Sequence, residues 1–203
     1  MFRKVTLSAI LGLLILTVAS CAAEEPKDEA PEPAPVAAKP AEAEGPFYDL
    51  VKDDITSKPE WTSKNITLKG VKIGDKSKPA EFEAKLGKFR ATDPVGDFYR
   101  AVSEGTKFAI YTQKMTGELQ KIEIYSPYAD QVADPKLRKL LSGGSLDYMR
   151  EAFGMEDSAD FNVDTNAEEF TYNAKGFRFA KYDLQGTKIN SIIFSKLKPP
   201  TTN

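Results

Sequence analysis

Apolar positions change their spacing along this chain, and each spacing predicts a different kind of segment. From Val5 to Val18 they form a nearly unbroken run behind Arg3 and Lys4. A basic start, a short apolar stretch and then small residues is the order of a secretory signal, which we place over residues 1–20. The run is short for a membrane span, which needs roughly 20 apolar residues in a helix. Over residues 22–46 the apolar pattern vanishes. Glu24, Glu25, Asp28, Glu29, Glu32, Glu42 and Glu44 alternate with prolines, and no aromatic residue occurs. Such a segment buries too little apolar surface to offset the entropy of ordering it, so 21–46 is predicted to be a disordered linker.

Beyond residue 46 the spacing becomes helical and alternating in turn. Phe47, Leu50, Val51 and Ile55 fall on one helical stripe, and residues 79–86 read as a second helix closed by Gly87. Further on, Asp134 precedes Pro135 as an N-cap for a helix with Leu137, Leu140 and Leu141 on one side. After Gly143 and Gly144, Ser145 caps another helix carrying Leu146, Met149 and Phe153, ended by Gly154. Residues 99–112 and 170–183 each read as two strands meeting at a glycine, Gly105 and Gly176, and a third strand carries Ile122 and Ile124 in one case, Ile192 and Phe194 in the other. The fold expected is α+β: two tandem helix-helix-three-strand units with antiparallel sheets, over 47–128 and 129–203. That alignment lays Gly87 over Gly154, Gly105 over Gly176 and Phe108 over Phe179, and it predicts burial of Leu86, Phe153, Ile122 and Ile192.

Charge changes the picture only once the linker is set aside. The chain has 28 bases and 30 acids, and the excess of acid lies in the linker. The rest is nearly balanced, so charge gives no reason to expect a nucleic-acid partner. Lys64, Lys69, Lys72, Lys76, Lys78, Lys85, Lys88 and Arg90 form a basic series, which fits either a solvated face or contact with anionic envelope polymers and lipid head groups.

The single cysteine, Cys21, stands where the apolar run ends, and the stretch Val18-Ala19-Ser20-Cys21 resembles a bacterial lipobox. The resemblance implies that Cys21 is diacylated, with palmitate-type chains, and becomes the mature N-terminus. Two chains make attachment stable, so the protein is expected in the cell envelope, anchored to a bacterial membrane: the outer membrane facing the periplasm, or the cell surface. Lipidation also explains a lone cysteine in an exported chain, which would otherwise present an unpaired thiol. A second resemblance covers VKIGDKSKPAEFEAKLGK, with Ile73-Gly74, Leu86-Gly87 and Phe153-Gly154. It is similar to the motif that opens the small lipoproteins of the outer-membrane β-barrel assembly machinery (BamE-like) and the repeats of β-lactamase inhibitor proteins. Residues 91–97 lack the usual Gly-x-Pro turn, and the second unit has Leu141-Ser142-Gly143-Gly144 in place of Ile-Gly. These families are mostly binding modules, so the resemblance implies an envelope protein partner rather than catalysis.

Candidate chemistry is sparse. With no histidine, imidazole acid-base catalysis, Ser-His-Asp and Cys-His sites and histidine zinc motifs are excluded. Asp53-Asp54, Glu156-Asp157 and Glu168-Glu169 are the adjacent carboxylates a hydrolase could use. Asp160, Asn162, Asp164, Asn166 and Glu168 repeat at every second position, the rhythm of a calcium loop, but Thr165 and Thr171 stand where that loop needs glycine and glutamate. The same alternation marks the wet face of a strand. The expectation is a non-enzyme with no cofactor and no metal, a membrane-anchored module that binds protein through exposed aromatics such as Trp61, Tyr125 and Tyr128. A small-ligand carrier with its groove between the two units is the alternative, and a carboxylate hydrolase a third.

Overall fold

The computed structural model describes residues 45–196; the predicted signal, Cys21, the linker up to residue 44 and residues 197–203 lie outside the described residues. The chain enters as strand β1 (Tyr48–Asp49), makes single 3₁₀ turns at Ile55–Ser57 and Ser63–Asn65, and continues as β2 (Ile66–Leu68) and β3 (Val71–Lys72), which form a three-stranded sheet in the order β1-β2-β3. Helix α1 (Pro79–Leu86) follows, then β4 (Phe89–Val95), β5 (Phe98–Ser103), β6 (Phe108–Gln113) and β7 (Leu119–Tyr125). A helical turn at Ser126–Gln131 leads to α2 (Pro135–Leu141) and α3 (Leu146–Phe153), and β8 (Ser158–Asn162), β9 (Ala167–Tyr172), β10 (Phe177–Lys181) and β11 (Ser191–Ser195) complete the described chain.

The two tandem helix-helix-three-strand units predicted from the sequence are not what forms. All strands from β4 onward join one eight-stranded antiparallel sheet, in the order β4-β5-β6-β7-β11-β10-β9-β8. Each half supplies four strands rather than three, and the halves fuse where β7 pairs with β11, Ile122 opposite Phe194 and Ile124 opposite Ile192. The described fold is thus mostly β rather than two α+β units, and its large sheet is shared, with one core beneath it: Phe108, Ile122, Phe179 and Phe194 lie in the same buried cluster as Leu50 and Ile66 from the N-terminal segment, Leu86 from α1, and Leu137 and Met149 from α2 and α3.

Two local causes account for the departures. The stripe Phe47, Leu50, Val51 and Ile55 does not become a helix because aspartates capture its backbone. The Asp53 carboxylate accepts the Asp49 N–H at 2.6 Å, while Asp49 accepts from Val51 N–H at 2.9 Å and Gly70 N–H at 2.9 Å. Side-chain bonds of this kind compete with helical ones, and here they set a turn. The unpredicted fourth strands are β4 and β8, the two outermost. Pro94 sits in β4, where its missing N–H needs no partner on the outer side, and most of β4 is exposed, so it has no alternating apolar face to read.

Other expectations hold in detail. Asp134 caps α2, accepting from Leu137 N–H at 2.9 Å, and Ser145 caps α3 through Tyr148 N–H at 3.2 Å. Gly87 and Gly154 close α1 and α3 with φ of 92° and 83°, a conformation glycine adopts without penalty. Leu86, Ile122 and Ile192 are buried; Phe153 is half-buried and packs edge-on against Phe179 with centroids 5.0 Å apart. The strand ladders correct one alignment. Phe108 lies opposite Ile124 as Phe177 lies opposite Phe194, so Phe108 corresponds to Phe177, not Phe179, and Gly105 does not fall over Gly176.

Candidate functional site

Strand β7 reads Leu-Gln-Lys-Ile-Glu-Ile-Tyr, and its alternation sends Ile122 and Ile124 into the core and Lys121, Glu123 and Tyr125 to the opposite face. Glu123 lies at the centre of the sheet and is only 2% exposed. Its carboxylate accepts four hydroxyl bonds. Tyr111 of β6 and Tyr125 donate to Oε2 at 2.8 and 2.9 Å, Ser191 of β11 donates to Oε1 at 2.9 Å, and Tyr182 also donates to Oε1. Tyr182 reaches inward because the segment after β10 is pinned: Tyr182 N–H donates to the Asn190 side chain at 2.8 Å, and Asn190 N–H to Ala180 O at 2.9 Å.

A carboxylate has about four lone-pair sites, so these hydroxyls saturate it and replace the water that burial removed. The hydroxyls are held as donors in return. Burial, reinforced by the Glu123 charge, pushes Tyr125 up to about 12 and raises Tyr111 and Tyr182 as well.

Around this anion stand three cations. Arg100 of β5 donates from Nη2 to the Tyr125 hydroxyl at 2.9 Å, while its Nε is buried without a partner. Lys121 lies over the rings of Tyr111 and Phe98, at 4.7 and 5.6 Å from their centroids, and forms no ion pair among the described residues. Burial, then the neighbouring Arg178, lowers its pKa. Arg178 of β10 is different, because its Nε lies 2.8 Å from Glu169 Oε2, although the N–H is not aimed along that contact. Glu169 also accepts from Asn162 Nδ2 at 2.9 Å.

These groups floor a cleft of about 860 Å³. One wall is the tip of the β4–β5 hairpin, Val95 to Phe98; the other is the β8–β9 hairpin with Asn162, Asp164 and Thr165. Laid flat, eight strands would separate their outer edges by roughly 34 Å at the usual strand spacing. For both edge hairpins to wall one cleft, the sheet curls over this face, helped by bulges at Phe89/Ala91 and Tyr111/Thr112.

The residues singled out from sequence do not converge here. Asp53 is committed to Asp49 N–H, Glu156 to a two-pronged bond with Arg150 at 2.7 and 3.2 Å that lowers its pKa, and Asp157 to Asn173 N–H at 2.6 Å. Asp54 lies in the turn before Ile55–Ser57, where it accepts from the Thr56 hydroxyl at 3.5 Å. Glu168 and Glu169 point to opposite faces of β9, Glu168 pairing with Lys181 at 2.6 Å. The calcium-like rhythm is a hairpin: Asn162 accepts from Asp164 and Thr165 N–H at 3.0 and 3.3 Å, and Asn166 turns with φ of 51°. Among the described residues no group of three or more metal-ligating side chains gathers. Of the basic series, all but Lys72 are exposed and spread over several elements. Trp61, Tyr125 and Tyr128, expected as exposed anchors, are buried at 5%, 8% and 1% exposure. Only Tyr125 belongs to the cleft. The signal for the rest was a glutamate flanked by isoleucines, since a charge in mid-strand faces solvent unless its neighbours can satisfy it.

No family model matches the chain, and no curated protein matches it. Among solved structures, the crystal structure of a DUF4309 family protein, YjgB, from Bacillus subtilis is similar, with a TM-score of 0.46 and 13% identity, over 72% of this chain and 96% of that one.

Proposed function

We propose that this is a non-catalytic binding protein that holds a small polar ligand in the cleft over Glu123. The observation that carries the reading is the floor: a saturated, fixed carboxylate cage beside Arg100 and Lys121, whose donors are largely unspent. The cleft's volume is in the range of small-molecule sites, which combine few, fixed polar groups with aromatic walls. Catalysis is disfavoured by the same cage, since a carboxylate with every lone pair occupied is poorly placed as a base, and tyrosines pushed upward are poor acids. The lipobox resemblance at Val18-Ala19-Ser20-Cys21 supports tethering by lipid to a bacterial membrane, with the acidic segment as spacer. A protein-binding role loses its named anchors, because Trp61, Tyr125 and Tyr128 are buried.

The test is non-denaturing mass spectrometry of the full chain isolated without denaturation, beside Thr165→Trp, which fills the exposed mouth without touching the core. A small molecule carried by the unchanged protein and missing from the variant is expected. Equal retention by both would place the ligand elsewhere.

A further inference from the structure

Which chemistry the cleft selects follows from which of its groups remain unspent. Glu123 cannot neutralise Arg100 or Lys121 by direct contact, because four hydroxyl donors already fill its oxygens. Arg178 is charge-paired with Glu169 at 2.8 Å, although its Nε–H makes no hydrogen bond. That leaves Arg100, with Nη2 engaged and Nε buried and unpartnered, and Lys121, with only aromatic rings beneath its ammonium. The ladders place both on one face: Arg100 is opposite Tyr111, and Tyr111 is opposite Lys121. The two cations therefore stand on the strands either side of Tyr111, Lys121 over its ring. Tyr111 and Tyr182 give their protons to Glu123, so their remaining lone pairs can accept from a ligand, whereas the Tyr125 oxygen already accepts from Arg100.

We propose that the ligand carries a single oxyanion, a carboxylate or a phosphate, seated between Arg100 and Lys121, and presents N–H or O–H donors to Tyr111 and Tyr182. This rests on the cleft being the ligand site. Burial strengthens such charge-assisted bonds, and the planar Arg100 fork suits an oxyanion. The exposed rim bears Asp97 and Asp164, which repel a second negative group at the ligand's other end.

The experiment is NMR of the full chain, following the Arg100 Nε–H and Lys121 side-chain signals during titration with acetate, inorganic phosphate, ethylammonium and glucose. Saturable shifts with acetate or phosphate are expected, and Lys121→Gln should weaken them roughly tenfold, the loss of one charge-assisted contact. Lys85→Gln, on the exposed side of α1, should leave them unchanged. A response to acetate alone assigns a carboxylate and to phosphate alone a phosphate. Undiminished shifts in Lys121→Gln would overturn the seat. Binding of glucose or ethylammonium, abolished by Thr165→Trp, with no anion response would overturn the oxyanion and leave the cleft as a ligand site; no binding by any probe, with no ligand retained in mass spectrometry, would overturn both.

Discussion

Replacing Glu123 by glutamine keeps the shape of the side chain and exchanges half its acceptor sites for two N–H donors. Whichever way the amide points, two of the four hydroxyls must turn from donating to accepting. If Nε2 faces Tyr111 and Tyr125, it meets an oxygen that already accepts from Arg100 at 2.9 Å. If it faces Tyr182 and Ser191, those two protons lose their acceptor. Each displaced hydroxyl costs about 1 kcal/mol, the low end for an unsatisfied group, because the open cleft admits water. The two bonds that survive fall from charged to neutral, losing about 1 kcal/mol each. Relief of the buried charge offsets part of the resulting 4 kcal/mol or so, leaving a net loss of about 2–3 kcal/mol. For a folded part of this size that corresponds to a fall in Tm of about 5–10 °C. Urea denaturation followed by tyrosine near-UV circular dichroism measures it. Glu118→Gln, which breaks the exposed pair with Lys196, is the control and should cost less than about 1 kcal/mol. A Glu123→Gln protein as stable as the unchanged one would refute the claim that the hydroxyl cage is built around a charge.

Asp134 joins distant parts, accepting from Leu137 N–H and, across the fold, from Thr56 N–H at 2.6 Å, so Asp134→Ala should cost about 2–4 kcal/mol in the same denaturation assay. Because burial and Glu123 raise Tyr125 to about 12, its contribution to stability is intact below the ordinary tyrosine value near 10 and is lost as pH climbs toward 12; absorbance at 295 nm should show the caged tyrosines ionising together with unfolding, and a complete titration near pH 10 in the folded protein would contradict this. Burial lowers the Lys121 pKa, so below that folded value the folded state carries a disfavoured charge, and Lys121→Met should raise the Tm of the empty protein while weakening its response to acetate and phosphate roughly tenfold. Cys21→Ala should leave the fold intact and release the protein from membranes, with loss of fatty-acid label; label retained in the variant would sink the lipobox reading.

What was legible in the sequence was whatever local chemistry decides. Gly87 and Gly154 end helices, Asp134 and Ser145 begin them, and the alternation of Ile122 and Ile124 gives a strand with its buried side. Four features were not legible, three of them because they depend on partners distant in sequence. The pairing of β7 with β11 turns two expected sheets into one, and nothing in either strand names the other. β4 is held by its neighbour and carries no apolar stripe of its own. Trp61 is buried because Phe177, far along the chain, packs against it with ring centroids 5.0 Å apart. Glu123 belongs to the same class: its burial is possible only because Tyr182 and Ser191 arrive from the other half of the sheet.

The strand order is symmetric about the β7–β11 pair, but the chemistry across it is not, and that asymmetry gives the cleft its polarity. At the centre Glu123 faces Ile193. Beside Glu123 in β6 is Ala109, small enough to leave room for the tyrosines, whereas beside Ile193 in β10 is Arg178. Each half thus buries charge in its own way. In the half with β8 to β11, the charge of Arg178 is balanced by Glu169 in an internal ion pair, although its Nε–H makes no hydrogen bond. In the half with β4 to β7, hydroxyls fill the acceptor sites of Glu123, so Arg100 and Lys121 keep donors that it does not take. A ligand lying across the cleft therefore meets unsatisfied positive charge over β5 to β7, the apolar Ile193 in the middle, and an already balanced pair over β9 and β10. Its orientation follows from that gradient, the anionic end toward Arg100 and Lys121, because the reverse pose would bring the anion beside the Glu169 carboxylate, which repels it.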